Sequence, residues 1–252
     1  MGRAMIQRTK LLNYLADFLK VAEFDDYCIN GLQIEGTDTI KTVVLGVSVS
    51  RRLFQQAIAR RADMIIVHHG LFWKNDPSPL ALTGIMRERV ALLITNNINL
   101  AGYHLPLDAH PEIGNNAQIM KRLNIVPIQP VDVGFLGELP HKPAVEQLVS
   151  DIDASLGTHS QKFLFGGKTA HRVLVISGGS SGSYKQAIDH GADIFIGGDI
   201  KENLVREIEE AGLNYINAGH YNSEQFGIRA LGEHLAEKFQ LSCFFVDIPN
   251  PV

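Results

Sequence analysis

Histidine and acidic residues with the spacing of metal ligands occur in three short stretches of this sequence. Two of them share the pattern His-x-x-x-acid and follow short strand-like segments, GYHLPLDAH at 102–110 and AGHYNSE at 218–224. A third, IIVHHG at 65–70, ends an apolar run with two adjacent histidines. Because imidazole and carboxylate groups are the usual ligands of borderline divalent metals, the sequence predicts that the three stretches meet at one metal site. The candidate ligands are His68, His69, His104, Asp108, His220 and Glu224.

The number of candidate ligands favours two divalent metal ions per chain. A catalytic zinc typically uses about three protein ligands and a water, fewer than this chain offers. Two metals bridged by a carboxylate and a hydroxide, about 3.5–4 Å apart, would use the whole set. Such a pair holds a nucleophile at neutral pH, which predicts a hydrolase that uses a metal-bridging hydroxide. His104 is either a metal ligand or a proton-transfer residue. The ligand types do not distinguish between Zn, Mn, Fe and Co.

Other polar residues are weaker candidates for a functional role. Asp25 and Asp26 could be ligands, although solvated loop acids or a helix cap are the simpler interpretation. The glycine-rich segment SGGSSGS at 177–183 lacks the residues of a phosphate-binding loop, so we expect a turn that leads into a helix. Asp199 is expected to support the ligands or the fold. The remaining histidines are expected to be structural or exposed: His110, His141, His159, His171, His190 and His234.

Alternating apolar runs and amphipathic segments predict the elements that position these residues. We expect strands at 42–49, 63–70 and 98–103, with helices at 51–62 and 84–97. This alternation predicts an α/β fold with largely parallel sheets. In such sheets, ligands bind beyond the carboxyl ends of the strands, which is where the three stretches lie.

Residues 41–70 and 171–200 match each other at a separation of 130 positions. Ala62-Asp63 falls on Ala192-Asp193, for example, and His69 falls on Asp199. At a separation of 116, His104 falls on His220 and Asp108 on Glu224. This ordered series predicts two pseudo-repeated β-α-β-α-β lobes with mixed, mainly parallel sheets. The lobes are expected at 1–120 and 171–252, with a connecting segment at 121–170.

Three local expectations concern the site directly. Pro106 argues against an ordinary helix across HLPLD and favours a tight loop. Asn222 or Ser223 is expected to cap the last long helix, which would leave Glu224 in its first turn. The segment LFW at 71–73 is expected to be exposed.

Composition and charge narrow the class of protein. With 252 residues, of which 45% are hydrophobic, the chain can bury a sizeable core, and its net charge of −4 argues against a nucleic-acid-binding domain. Cys28 and Cys243 do not indicate a disulfide framework, and a reducing compartment fits. The chain has no signal-peptide core and no apolar run of about 18 residues, so we expect a cytoplasmic protein that does not span a membrane.

Several motifs together resemble those of one family, the YbgI-type dinuclear-metal proteins known as GTP cyclohydrolase 1 type 2 homologs. They are DYCINGLQIEG, IIVHHGLFW, GYHLPLDAHPEIGNNAQ, NAGHYNSEQFGIRAL and FVDIPNP. The resemblance extends from about residue 25 to the C-terminus. It implies a two-lobed α/β fold and a toroidal homohexamer whose metal pairs face an internal cavity. It also implies metal ligands at His68, His69, Asp108, His220 and Glu224. Longer members carry an inserted domain, in place of which this chain has the short 111–170 connection.

The predicted function is that of a metal-dependent hydrolase with a small-molecule substrate. A purine nucleotide is the candidate substrate, and attack at its imidazole C8 would open the ring. The alternative is a non-catalytic metal-binding ring that acts through partners, with the LFW segment or the proline-rich C-terminus at an interface. A third candidate function is binding of DNA in the hole of the ring, which the net negative charge of the chain disfavours.

Overall fold

The computed structural model describes residues 4–77 and 81–251. The strands of this part of the chain are β1 (Ile6–Gln7), β2 (Gly31–Ile34), β3 (Thr39–Ile40), β4 (Thr42–Ser48), β5 (Met64–His69), β6 (Asn99–Gly102), β7 (Val126–Val131), β8 (Gly134–Glu138), β9 (Gln161–Leu164), β10 (Arg172–Val175), β11 (Ile194–Gly197), β12 (Asn214–Asn217) and β13 (Ser242–Phe245). The helices are α1 (Arg8–Phe18), α2 (Arg51–Ala59), α3 (Gly84–Thr95), α4 (Leu105–Ala109), α5 (Asn115–Arg122), α6 (Val145–Leu156), α7 (Tyr184–Asp189), α8 (Glu202–Glu210) and α9 (His220–Phe239). The predicted strands and helices around the site are present, and the α/β fold class is confirmed.

The chain divides into two compact units, each made of two segments. The first unit comprises Met1–Leu107 and Ile228–Ile248, and the second comprises Asp108–Gly227 and Pro249–Val252. Each unit contains a large sheet and its own hydrophobic core.

The sheet of the first unit has the order β13-β4-β5-β6-β2 and is parallel except for the edge strand β2. Its central strands β4 and β5 are almost continuously apolar, as expected for strands covered on both faces. Leu53 and Phe54 of α2 pack in the same core cluster as Val90 and Leu93 of α3. The Ser50 side chain caps α2 by accepting a hydrogen bond from the Leu53 N–H. A short pair of antiparallel strands, β1 and β3, lies in the same unit.

The sheet of the second unit has the order β7-β8-β10-β11-β12-β9 and is mixed. Its centre, β10-β11-β12, is parallel, whereas the outer pairings are antiparallel. Alternate residues of β11 enter different cores: Ile194 and Ile196 join the cluster that contains residues of α5 and α6, and Phe195 joins the cluster that contains residues of α7 and α8. Helices therefore cover both faces of this sheet.

The internal repeat extends to the strand order and to single hydrogen bonds. The order β4-β5-β6-β2 in the first unit corresponds to β10-β11-β12-β9 in the second, with the last strand antiparallel in both. The Asp63 carboxylate accepts hydrogen bonds from the N–H groups that start β4, at residues 41 and 42. Asp193, 130 positions later, accepts from the N–H groups of residues 171 and 172 at the start of β10. The same side chain thus performs the same structural role in both units.

Two buried asparagines show the same equivalence. Asn99 accepts from the Gly36 N–H and donates to the carbonyl of residue 37, and it also donates to the carbonyl of residue 63. Asn214 accepts from the Gly166 N–H and donates to the carbonyl of residue 167. Because Gly36 and Gly166 are again 130 positions apart, the repeat also includes the strands β2 and β9 that precede these glycines.

The units differ from the lobes that we expect from the sequence. Residues 121–170, the expected connecting segment, contain β7, β8, α6 and β9 of the second unit. Residues 228–248, expected in the second lobe, belong to the first unit because β13 pairs in parallel with β4. Strand pairing between residues about 200 positions apart is not visible in local patterns of hydrophobicity.

Two helix boundaries near the site also differ. The HLPLD segment contains the short helix α4, in which Pro106 is the second residue. A proline is tolerated there because the first N–H groups of a helix have no intrahelical acceptor. Helix α9 begins at His220, before the expected cap at Asn222 or Ser223. His220 and Glu224 consequently lie one turn apart on the same helix.

No helix within residues 4–77 and 81–251 combines the length and the hydrophobicity needed to cross a membrane.

Candidate metal centre

Three histidines of the first unit lie together at the carboxyl ends of β5 and β6. His68 and His69 are the last residues of β5, and His104 follows β6 by two residues. Each imidazole offers a ligand nitrogen, and these nitrogens lie within 4.8 Å of one another. His68 is fully buried, and His104 is 5% exposed. The structure therefore brings the three imidazoles together at this edge of the sheet.

Hydrogen bonds orient the two histidines of β5. The His68 Nδ1–H donates to the Tyr103 carbonyl at 3.0 Å, which makes Nε2 the nitrogen suited to a metal. His69 Nδ1 forms a hydrogen bond with the Ser48 hydroxyl at 2.9 Å. Such contacts at the second nitrogen fix the ring and the tautomer of metal-binding histidines.

His104 forms a buried pair with Asp26. Its Nδ1–H donates to Asp26 Oδ1 at 2.9 Å. Burial of Asp26 by itself would raise the pKa of this carboxyl group, but hydrogen bonds from His104, Asn30 and the Cys28 N–H outweigh it and lower the pKa to about 2. The other carboxylate oxygen also accepts from the Leu105 N–H, at the start of α4. Asp26 is therefore an ionised, fixed acceptor that holds the His104 ring.

Aromatic side chains border the histidine cluster. The Tyr27 and Trp73 rings stack with centroids 5.5 Å apart, and each meets the His104 ring edge to face. The Trp73 indole N–H donates to the Gly70 carbonyl, which fixes the loop after β5. Leu71 is buried and Phe72 packs against the core, so the expected exposure of the LFW segment is wrong for these two residues. Their apolar side chains complete the core beneath the loop.

Asp108 is a buried carboxylate of the second unit. It is 4% exposed and accepts hydrogen bonds from Asn115 Nδ2 at 2.8 Å and from the Ser177 hydroxyl at 3.2 Å. Asn116 donates to the Asp108 carbonyl and accepts from the Ser177 N–H. These contacts position the carboxylate from α4, α5 and the turn after β10.

His220 and Glu224 are the other two candidate ligands in the same unit. His220 Nε2 lies 3.1 Å from Glu224 Oε2, as their spacing of one helical turn on α9 allows. Glu224 is 2% exposed, whereas the His220 side chain is one-third exposed.

A glycine in the turn after β10 makes room for Glu224. Gly178 has a φ of +63°, and a Cβ atom there would lie 1.9 Å from Glu224 Oε1. Both observations require glycine at this position. The SGGSSGS segment is the expected turn, and Ser181–Ser183 forms a 3₁₀ helix before α7.

Several residues of the site are not identified by the sequence. Asp26 is buried against His104, so its interpretation as a solvated loop acid is wrong, whereas Asp25 is exposed and pairs with Lys74. Asn115 and Ser177, which hold Asp108, have no signal in the sequence apart from their polarity. Their roles depend on contacts between distant parts of the chain.

Three of the other histidines make contacts consistent with the structural roles expected for them. His110 Nδ1 accepts from the N–H groups of residues 112 and 113, and His190 contacts Gln129. The His234 ring contacts the Tyr14 hydroxyl and stacks on Phe18.

The donor set of the histidine cluster fits a divalent metal. Three imidazoles with nitrogens within 4.8 Å, each with Nδ1 already engaged, offer the nitrogen ligands that Zn, Fe, Mn and Co accept. That His68, His69, Asp108, His220 and Glu224 serve one pair of metals stays a prediction.

Proteins of known sequence match nearly the full length of this chain. A family model described as Duf34/NIF3 (NGG1p interacting factor 3) matches residues 6–251. A Yersinia pestis protein named GTP cyclohydrolase 1 type 2 homolog is 41% identical over 256 residues, which cover 98% of this chain and 100% of the relative. A protein of the same name from Escherichia coli K12 is 41% identical over 251 residues, with the same coverage.

Solved structures agree with this relationship. A structure described as protein ybgI, of unknown function, has a TM-score of 0.94 at 39% identity and covers 98% of this chain and 100% of its own. TTHA1606 from Thermus thermophilus has a TM-score of 0.92 at 34% identity, with the same coverage. The resemblance inferred from the motifs is confirmed, and the chain belongs to the Duf34/NIF3 family.

Proposed function

We propose that this protein is a metal-dependent hydrolase that binds two divalent metal ions per chain. The proposed ligands are His68, His69, Asp108, His220 and Glu224. The observation that supports the proposal most directly is the cluster of His68, His69 and His104 at the carboxyl edge of the first sheet. The names of the relatives refer to GTP cyclohydrolase, which favours a purine nucleotide as the substrate.

Different residues of the chain would have different roles in such a reaction. Bound divalent metals would supply Lewis-acid polarisation and lower the pKa of a water molecule. His104 transfers the proton through Nε2, since Asp26 holds its Nδ1–H. The Asp26 carboxylate holds the His104 ring in the orientation that this transfer needs. Tyr27 and Trp73 limit the access of bulk water to the His104 ring.

Metal content per chain tests the proposal. Protein purified without a chelator or a His tag is expected to contain about two metal ions per chain. The His68→Ala variant should contain fewer, because it lacks a buried nitrogen of the cluster. His141→Ala, which removes an exposed histidine of the second unit, should keep the wild-type content. A wild-type content near zero that added Mn, Zn or Fe does not restore would refute the metal site.

Turnover of purine nucleotides separates a hydrolase from a metal-binding ring without catalysis. Metal-loaded wild type should open or hydrolyse a nucleotide of a GTP, GDP, GMP and ATP panel, and His104→Ala should slow this about 10²–10⁴-fold while it retains metal. Metal-loaded protein that converts no nucleotide would argue against the hydrolase and favour a role through partners.

The assembly is also part of the proposal. The family resemblance predicts a homohexameric ring, which multi-angle light scattering would show as six times the monomer mass. A monomer or dimer at micromolar concentration would contradict it.

A further inference from the structure

The second unit contains a cavity at the carboxyl ends of β11 and β12. Its volume is about 520 Å³, and Asp199, Asn217, Gln161 and Asn222 are among the residues that line it. This volume lies in the range of small-molecule sites, which is roughly 300–1,000 Å³. Ligands of open α/β sheets bind at this end of the strands.

The internal repeat gives this cavity a counterpart in the first unit. Asp199 follows β11 and aligns with His69, which ends β5. At the place where the first sheet presents His69, the second sheet therefore presents a carboxylate, and amide side chains and the His159 imidazole line the cavity around it. The carboxyl edge of the sheet in the second unit therefore has the chemistry of a site for polar organic molecules.

Hydrogen bonds fix the amide groups of the cavity. Asn217 Oδ1 accepts from the Gly219 N–H, and Asn217 Nδ2 donates to Gln161 Oε1, both at 3.0 Å. Asn222 Nδ2 donates to the Gly157 carbonyl at 2.9 Å. The polar wall is thus largely ordered before a ligand binds, which lowers the entropic cost of binding.

Charge indicates which part of a substrate the cavity accepts. None of the described residues that line it is lysine or arginine, so a phosphate group would meet no fixed cation there. Asp199 Oδ1 accepts a long hydrogen bond of 3.4 Å from the Ser181 N–H, and the acceptor capacity that the two carboxylate oxygens retain matches two neighbouring N–H or O–H donors on an uncharged ring system. A nucleoside carries such pairs on a guanine edge and on the ribose diol.

The cavity also lies beside a proposed metal ligand. A Cβ atom on Gly179 would lie 3.4 Å from Asp199 Oδ2 and 3.6 Å from His220 Cε1. Asp199 and His220 therefore flank the same glycine.

We propose that this cavity binds the nucleoside part of the substrate, with Asp199 as the acceptor of two adjacent donors. The proposal rests on the hydrolase function above and assigns Asp199 as a specificity-determining residue. It places the uncharged part of the nucleotide in the second unit, next to His220.

Calorimetric titration of the metal-loaded protein with guanosine tests the assignment. Wild type should bind guanosine, and Asp199→Asn should weaken binding at least about tenfold, because the amide replaces one acceptor by a donor. Gln161→Ala alters an exposed lining residue and should weaken binding about threefold. Asp189→Asn, at an exposed position outside the lining, should change affinity less than about twofold.

Two analogues identify the donor groups from which Asp199 accepts hydrogen bonds. Weaker binding of inosine, which lacks the 2-amino group, would assign the guanine edge, and weaker binding of 2′-deoxyguanosine would assign the ribose diol. The proposal fails if wild type binds none of the three nucleosides, or if Asp199→Asn binds them as wild type does. Metal content measured on the same samples distinguishes this failure from failure of the hydrolase proposal, which would appear as loss of metal or turnover.

Discussion

At the scale of single residues, the sequence identifies groups whose chemistry is evident from their type. The adjacent pair His68-His69 is conspicuous at the end of an apolar run, and the structure places both imidazoles near His104. Asp26 could not be assigned in this way, because its role comes from a contact with His104 across 78 positions of the chain. Neighbouring Asp25 has the same residue type and an exposed position. Only the fold distinguishes these two acids.

The two acids provide a matched test of the support given to His104. Asp26→Asn removes the charged acceptor of the His104 Nδ1–H and is expected to slow nucleotide turnover about 10–100-fold without loss of metal, because His104 then lacks the group that orients its ring. Asp25→Asn removes only an exposed ion pair with Lys74 and should leave the turnover unchanged. Nucleotide turnover and metal content, measured on both variants, give the two readouts.

Equal turnover in the Asp26→Asn and Asp25→Asn proteins would show that Asp26 does not support proton transfer by His104. Circular dichroism of both variants is the control, because Asp26 also accepts from the Cys28 and Leu105 N–H groups.

At the scale of elements, the alternation of apolar runs and helical periodicity locates the strands that carry the site. β4, β5 and β6 lie where the sequence predicts them, since their apolar runs are buried on both faces. For the segment after β10, the sequence predicts only a turn. Its role in making room for Glu224 depends on the packing of α9 against it, which local patterns do not reveal.

Two glycines of this turn test that role. Gly178→Ala requires a left-handed backbone for alanine and places a methyl group against Glu224, so it should cost about 1–3 kcal/mol of stability and lower the metal content. Gly182→Ala introduces a methyl group with no atom within 4 Å and should resemble wild type. Urea unfolding and metal analysis give the two readouts. Normal metal content in Gly178→Ala would mean that Glu224 is not a ligand or that the turn adjusts without moving it.

At the scale of the whole molecule, the sequence shows the repeat but not how the chain is divided between the units. The alignment of Asp63 with Asp193 is visible in the sequence, and the two carboxylates make equivalent hydrogen bonds. The placement of β13 in the first unit depends on its pairing with β4, between residues separated by most of the chain. Such pairings are set by the burial of complementary faces, which a search along the sequence does not compare.

The buried asparagines allow the repeat to be tested one unit at a time. Asn99→Ala leaves the Gly36 N–H and its neighbouring carbonyl without their buried partner, and Asn214→Ala does the same at Gly166. Each substitution should cost about 2–4 kcal/mol, since buried backbone groups lose their hydrogen bonds. Asn13→Ala, at an exposed position of α1, should cost little.

Hydrogen exchange would locate these losses. Asn99→Ala should accelerate exchange first in β2 and β6, and Asn214→Ala first in β9 and β12, because each asparagine connects a parallel strand to the segment after its antiparallel edge strand. The two patterns of accelerated exchange should coincide when the strands of one unit are aligned with their counterparts in the other. If Asn99→Ala destabilised its strands and Asn214→Ala left β9 and β12 protected, the matched hydrogen bonds would not carry equal stability. The two units would then share their strand order and hydrogen-bond pattern, but not the stability that these hydrogen bonds provide.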